Sequence, residues 1–166
     1  MLGPTFQEQW ERIGTEDQEE CQRNRNLNAH AARLFRDGSA DFKLFAIRAL
    51  AAALEGSASY RHAHTSVPQV ETSFTPGQEL DCRIGIAADW ITYCGEKILL
   101  LSKKNESSSA RDGGPLWEGK PGLSLERWNL WKERFSEVGR TATLNEETRR
   151  LAQDSRRIMD ELEASC

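Results

Sequence analysis

The sequence predicts an all-α protein, a single-domain irregular bundle of about five to six helices over residues 1–166. Three observations carry that reading. Apolar residues return at steps of three and four along most of the chain, capping signals and glycine stops punctuate those stretches, and no segment shows the alternating period of two, dense in Val, Ile and Thr, that a half-buried strand requires.

The first helix is predicted over Thr15 to Phe35. Thr15-x-x-Gln18 is a capping-box pattern, Leu27, Ala31, Leu34 and Phe35 share one face, and Asp37-Gly38 is a natural stop. A second helix is expected from Asp41 to Glu55, closed by Gly56. Its apolar residues Phe42, Leu44, Phe45, Ile47, Leu50 and Leu54 surround the axis, which marks a buried central helix. The stretch 56–77 shifts to Ser, Thr, Pro and His and reads as a flexible connection.

The longest helix is predicted over Gln78 to Leu101, with Leu80, Ile84, Ala87, Ile91, Cys94 and Ile98 as its core stripe. Gly85 and Gly95 interrupt it, which suits close packing or a bend. Residues 103–122, with Ser107 to Ser109 and Gly113-Gly114-Pro115, read as a flexible surface linker from which Trp117 docks back onto the body. Ser124 then caps a helix whose Trp128, Trp131, Phe135 and Val138 share a face. Finally Thr143-x-x-Glu146 is a capping box ahead of Leu144, Thr148, Leu151, Ser155, Ile158 and Leu162, a stripe of near-heptad spacing.

Composition narrows the function classes. The formal charge is −4, and the nearest basic run, Arg149, Arg150, Arg156 and Arg157, is interleaved with acids, so no basic field exists to concentrate nucleic acid. The longest apolar run, Ile98 to Leu101, cannot span a bilayer, so no membrane association is expected. Met1 to Trp10 lacks the basic and apolar regions of a secretory signal. Cys21, Cys82, Cys94 and Cys166 lie far apart and form neither a disulfide framework nor paired zinc ligands, so reduced thiols and a cytoplasmic location are expected.

Three stretches carry a resemblance. Ala87-Ala88-Asp89-Trp90-Ile91-Thr92-Tyr93-Cys94-Gly95, Gly122-Leu123-Ser124-Leu125-Glu126-Arg127-Trp128-Asn129-Leu130-Trp131-Lys132-Glu133-Arg134-Phe135 and Leu27-Asn28-Ala29-His30-Ala31-Ala32-Arg33-Leu34 together make the chain similar to a family of helical proteins from filamentous ascomycete fungi, catalogued as a domain of unknown function. The resemblance spans roughly 24–162 and is most specific in the second stretch. It implies a fungal intracellular protein and assigns no catalytic residue.

Recognisable catalytic signatures are missing from the sequence. There is no Gly-x-Ser-x-Gly elbow, and Gly113-Gly114-Pro115 lacks the Lys-Ser/Thr of a phosphate-cradling loop. His62-Ala-His64 offers two metal ligands without a third, and His30 reads as a structural or surface residue, so no metal and no cofactor are expected. The acidic run Glu16, Asp17, Glu19 and Glu20 suits a helix start.

The informative constellation is Asp89, Trp90, Tyr93, Glu96 and Lys97 on the long helix beside Arg127, Trp128 and Trp131 on a later one. Joined round a cavity, these would make an apolar pocket with a few converging polar groups. The leading functional expectation is therefore a cofactor-independent cyclase or isomerase of a fungal secondary-metabolite pathway acting on a small-molecule substrate, with Asp89, Tyr93 and Arg127 as catalytic groups and Trp90, Trp128, Trp131 and Arg33 as substrate-binding walls. In the plainer alternative the tryptophans are core and Asp89 pairs with Arg127, while Arg33 and Arg48 snorkel to solvent. The rival function is a non-catalytic helical protein–protein interaction module, using the stripe of the closing helix for a partner or for homo-oligomerisation.

Overall fold

The computed structural model describes residues 17–59, 69–71, 74, 76–108 and 113–166. Among them run five α-helices: α1 (Gln18–Arg36), α2 (Lys43–Leu54), α3 (Gln78–Lys103), α4 (Leu125–Arg140) and α5 (Glu146–Ser165). The chain is all-α as its periodicity predicts. Among the described residues the helices are joined by a ribbon of two three-residue strands, β1 (Ser57–Ser59) and β2 (Gln69–Glu71), paired antiparallel with Ala58 opposite Val70. Three residues are too few to display an alternation, which is why the stretch reads as loop.

Helix ends follow local chemistry. Asp17 caps α1 by accepting from the Glu19 amide at 3.0 Å, whereas the predicted cap Thr15 lies outside the described residues. Glu19 and Glu20 in its first turn and Arg33 and Arg36 in its last complement the macrodipole, and Gly38 closes the helix at φ +79°. Ser124 caps α4 through the Arg127 amide, as predicted. For α5 the cap is Asn145, not Thr143, since the Asn145 side chain accepts from the Glu147 amide at 2.9 Å.

Helix α3 organises the bundle, packing on α1, α2 and α5. Its partners α1 and α5 both lie parallel to it: Cys21, Arg25 and Phe35 meet Cys82, Asp89 and Lys97 in the same order, and Asp81 and Gly95 meet Thr148 and Leu162. Helix α4 runs antiparallel to α5. As predicted from its all-round apolar pattern, α2 is central, with seven of its twelve residues buried. Of the predicted stripe, Leu144, Thr148 and Ser155 are buried while Leu151, Ile158 and Leu162 are half-buried, and Ala152 and Met159 complete the inward face because α5 packs on both α3 and α4.

One expectation is corrected. Cys21 and Cys82 form a disulfide with Cα atoms 5.7 Å apart, leaving Cys94 and Cys166 free. Their 61-residue separation hides the pairing, which only the parallel packing of α1 on α3 creates. At the ends of the 103–122 connection, Ser107 is bridged to Gly122 and the Leu123 amide donates to the Glu106 carbonyl at 2.7 Å. No helix among the described residues is long and apolar enough to cross a membrane.

Candidate functional site

The residues singled out by the sequence divide between the interior and two surface concavities. Trp90, Trp128, Trp131 and Arg127 are completely buried. Each indole N–H is satisfied: Trp90 donates to Asn28 Oδ1 at 2.7 Å, Trp128 to Glu163 Oε1 at 2.7 Å and Trp131 to Glu55 Oε1 at 2.8 Å. These side chains fill the core, and none of them lines the pocket that Asp89 and Tyr93 share. The expected Asp89–Arg127 pair does not form, because the parallel α1 brings Arg25 over Asp89 instead, in a bidentate pair at 2.9 and 2.9 Å. That hydrogen bond raises the Arg25 pKa above its ordinary value, outweighing partial burial.

Arg127 finds a different partner. Its Nε and Nη2 donate to Glu55 at 2.7 and 3.1 Å, and its Nη1 donates to the Gly122 carbonyl at 2.9 Å. Glu55 is itself 0% exposed and also accepts the Gly114 amide at 2.6 Å, while its backbone carbonyl accepts the Leu116 amide at 2.9 Å. The cluster joins α2, α4 and the 113–122 connection at one carboxylate. Gly114 is required there, since a Cβ would come within 2.9 Å of the Glu55 carbonyl oxygen. Trp117 lies over the Arg127 guanidinium at 5.2 Å, so it docks onto the body as predicted.

In the sequence Glu55 reads only as the end of a helix, although its position carries a signal. An acid at a helix C-terminus faces the negative end of the macrodipole, and α2 has no basic residue in its last turn. Such an acid demands a cation from elsewhere. Helix α4 supplies two, Arg127 for the carboxylate and Arg134, whose Nε donates to the Leu54 carbonyl at 2.8 Å.

One concavity is a polar pocket of about 320 Å³ on the α1–α3 seam. It gathers Asp89, Tyr93 and Arg33 of the predicted residues, with Gln22, Arg25 and Asn26. The exposed Arg33 guanidinium stacks 4.3 Å above the Tyr93 ring. The other is an open groove of about 550 Å³ between α3 and α5, with Ile91, Cys94, Gly95, Leu100, Ile158 and Leu162 along its floor and sides. Arg36, Glu96 and Lys97 supply its charged flank. Leu100 is 44% exposed, one of only two large hydrophobic residues so exposed among the described residues. Burial pushes the Cys94 thiol up to about 11, so it is a neutral, unreactive group at physiological pH.

Among the described residues no three His, Cys, Asp or Glu side chains gather as a metal-binding group. His30 is exposed on α1, and Arg48 is exposed on α2. His62 and His64 lie outside the described residues.

The sequence model of a family described as "Protein of unknown function (DUF3632)" matches residues 1–135. No curated protein and no solved structure matches the chain.

Proposed function

The chain belongs to that family of unknown function, and from this premise we propose that it is a non-catalytic helical interaction module whose contact face is the α3–α5 groove. The observation that carries the reading is a filled core beside an open groove of mixed apolar and polar lining. Trp90, Trp128, Trp131 and Arg127 are spent on internal packing, whereas Leu100, Ile158 and Leu162 border a trough with a charged flank. A trough of that character suits the apolar face of an amphipathic helix from a partner, or from a second copy of the chain. Because Thr148, Ala152, Ser155 and Met159 pack internally, the closing helix contributes only its Ile158 and Leu162 edge.

Selection from a displayed panel of amphipathic helical peptides tests this. A binder should lose at least about tenfold in affinity on Leu100→Glu and be indifferent to Arg33→Ala. A binder indifferent to Leu100→Glu contradicts the assignment.

A second reading is favoured by the polar pocket, which gathers Asp89, Tyr93 and Arg33 at one concavity. There a cofactor-independent cyclase or isomerase of a fungal secondary-metabolite pathway would use Tyr93 and Asp89 as its acid–base pair and Arg33 to orient a polar substrate. Incubation with pooled small metabolites followed by mass spectrometry decides it. Conversion that disappears in Tyr93→Phe supports catalysis, and absence of any product removes it. The proposed setting is the cytoplasm of a fungal cell. The Cys21–Cys82 bond is compatible with that compartment only as a redox-active pair.

A further inference from the structure

Helix α1 is held to α3 by two different kinds of contact. Its C-terminal half inserts Ala31, Ala32 and Phe35 into the apolar core, where they are at most 3% exposed. Its N-terminal half buries no large apolar side chain. What holds it to α3 is polar: Arg25 on Asp89, and Asn28, oriented by its bond to Asn24 within α1, accepting from Trp90. Gly85 leaves the space for Arg25, whose Nε would lie 3.0 Å from a Cβ there. Across this seam, one turn into each helix, runs the Cys21–Cys82 bond.

We propose that Cys21–Cys82 is a reversible dithiol–disulfide site whose redox state sets whether the first three or so turns of α1, 18–28, stay docked on α3. The seam is suited to this because polar contacts exchange for water at small net loss, so the covalent bond supplies much of the docking. The C-terminal half keeps its apolar anchor in either state. The reaction is thiol–disulfide exchange with a dithiol reductant. A reductant thiolate attacks Cys21 Sγ, the partly exposed sulfur, and Cys82, 1% exposed, departs as a thiolate and takes a proton from water. The second reductant thiol then displaces Cys21, leaving two protein thiols and one reductant disulfide.

The same seam walls the polar pocket through Gln22, Arg25 and Asn26, so its undocking dismantles that concavity and leaves the α3–α5 groove in place. The redox site thus acts on one face of the molecule alone.

Hydrogen exchange read by mass spectrometry tests the proposal on the whole chain, before and after excess dithiothreitol. Reduction is expected to speed exchange across 18–28 by about tenfold or more, while Ala31 to Arg36, α4 and α5 keep their protection. Reoxidation with glutathione disulfide should restore the original pattern. Unchanged exchange across 18–28 after complete reduction overturns the proposal, as does loss of protection along the whole chain. The Cys21→Ser, Cys82→Ser double variant should show the reduced pattern without reductant and ignore dithiothreitol. Full alkylation of both cysteines in denatured, unreduced, air-equilibrated protein would equally overturn it.

Discussion

Glu55→Gln is the sharpest perturbation of this fold. The carboxylate is fully buried and accepts four hydrogen bonds, two from Arg127, one from Trp131 and one from the Gly114 amide. Gln has nearly the same volume, so no cavity opens. Its single oxygen cannot serve donors on both sides, and its NH₂ is turned against at least one of them. The buried Arg127 loses the charge of its bidentate partner Glu55, a loss of about 3–5 kcal/mol. For a chain of this length that lowers Tm by roughly 10 °C, measured by circular dichroism at the helix band. Removing both charges in Glu55→Leu, Arg127→Leu takes away the pair together with its desolvation, so the double variant should be more stable than the sum of the two single losses. A Glu55→Gln cost under about 1 kcal/mol, or strict additivity in the cycle, would refute the reasoning.

Further outcomes follow from the same contacts. Although burial tends to raise it, the Glu163 carboxyl is held below its ordinary value by hydrogen bonds from Lys132 and Trp128. A depressed folded pKa gives stability that is present above the unfolded value of about 4.3 and is lost as pH falls through the folded one, so Glu163→Gln should lower Tm at neutral pH by a gap that closes in acid. Melting curves of both proteins across that range measure it. Iodoacetamide applied to the native, unreduced chain at mildly alkaline pH should label the exposed Cys166 and spare Cys94, whose thiol is pushed up to about 11; peptide mass spectrometry distinguishes the two. Ser124→Ala removes the acceptor for the Arg127 amide and should cost about 1 kcal/mol in urea unfolding.

Helix positions were legible because local chemistry sets them. The spacing predicts Gln78 to Leu101 and Asp41 to Glu55, and the helices run Gln78–Lys103 and Lys43–Leu54. Pairings across the bundle were not, since a single-chain pattern gives the face a residue occupies and says nothing of what stands opposite. Arg25 and Asp89 are 64 residues apart, and Glu55 and Arg127 are 72 apart. Each charge had several candidate partners, and only the parallel setting of α1 on α3 and the docking of α4 on the end of α2 select among them. The same helical spacing that placed Trp90 beside Asp89 also turned Trp90 inward and left Asp89 at the seam, separating residues that looked like one site. Asp89, Tyr93 and Arg33 meet at the polar pocket, and Tyr93, Glu96 and Lys97 meet at the α3–α5 groove.

The central claim, that the working face is the α3–α5 groove while the tryptophan-rich interior is structural, is met most directly by backbone-amide NMR of the chain titrated with a selected helical peptide. Shifts should concentrate on Ile91 to Leu100, Ile158 and Leu162, with Arg25, Arg33 and the Glu55–Arg127 cluster unmoved. Shifts centred on Arg25, Arg33 and Asp89, with the groove silent, would contradict it.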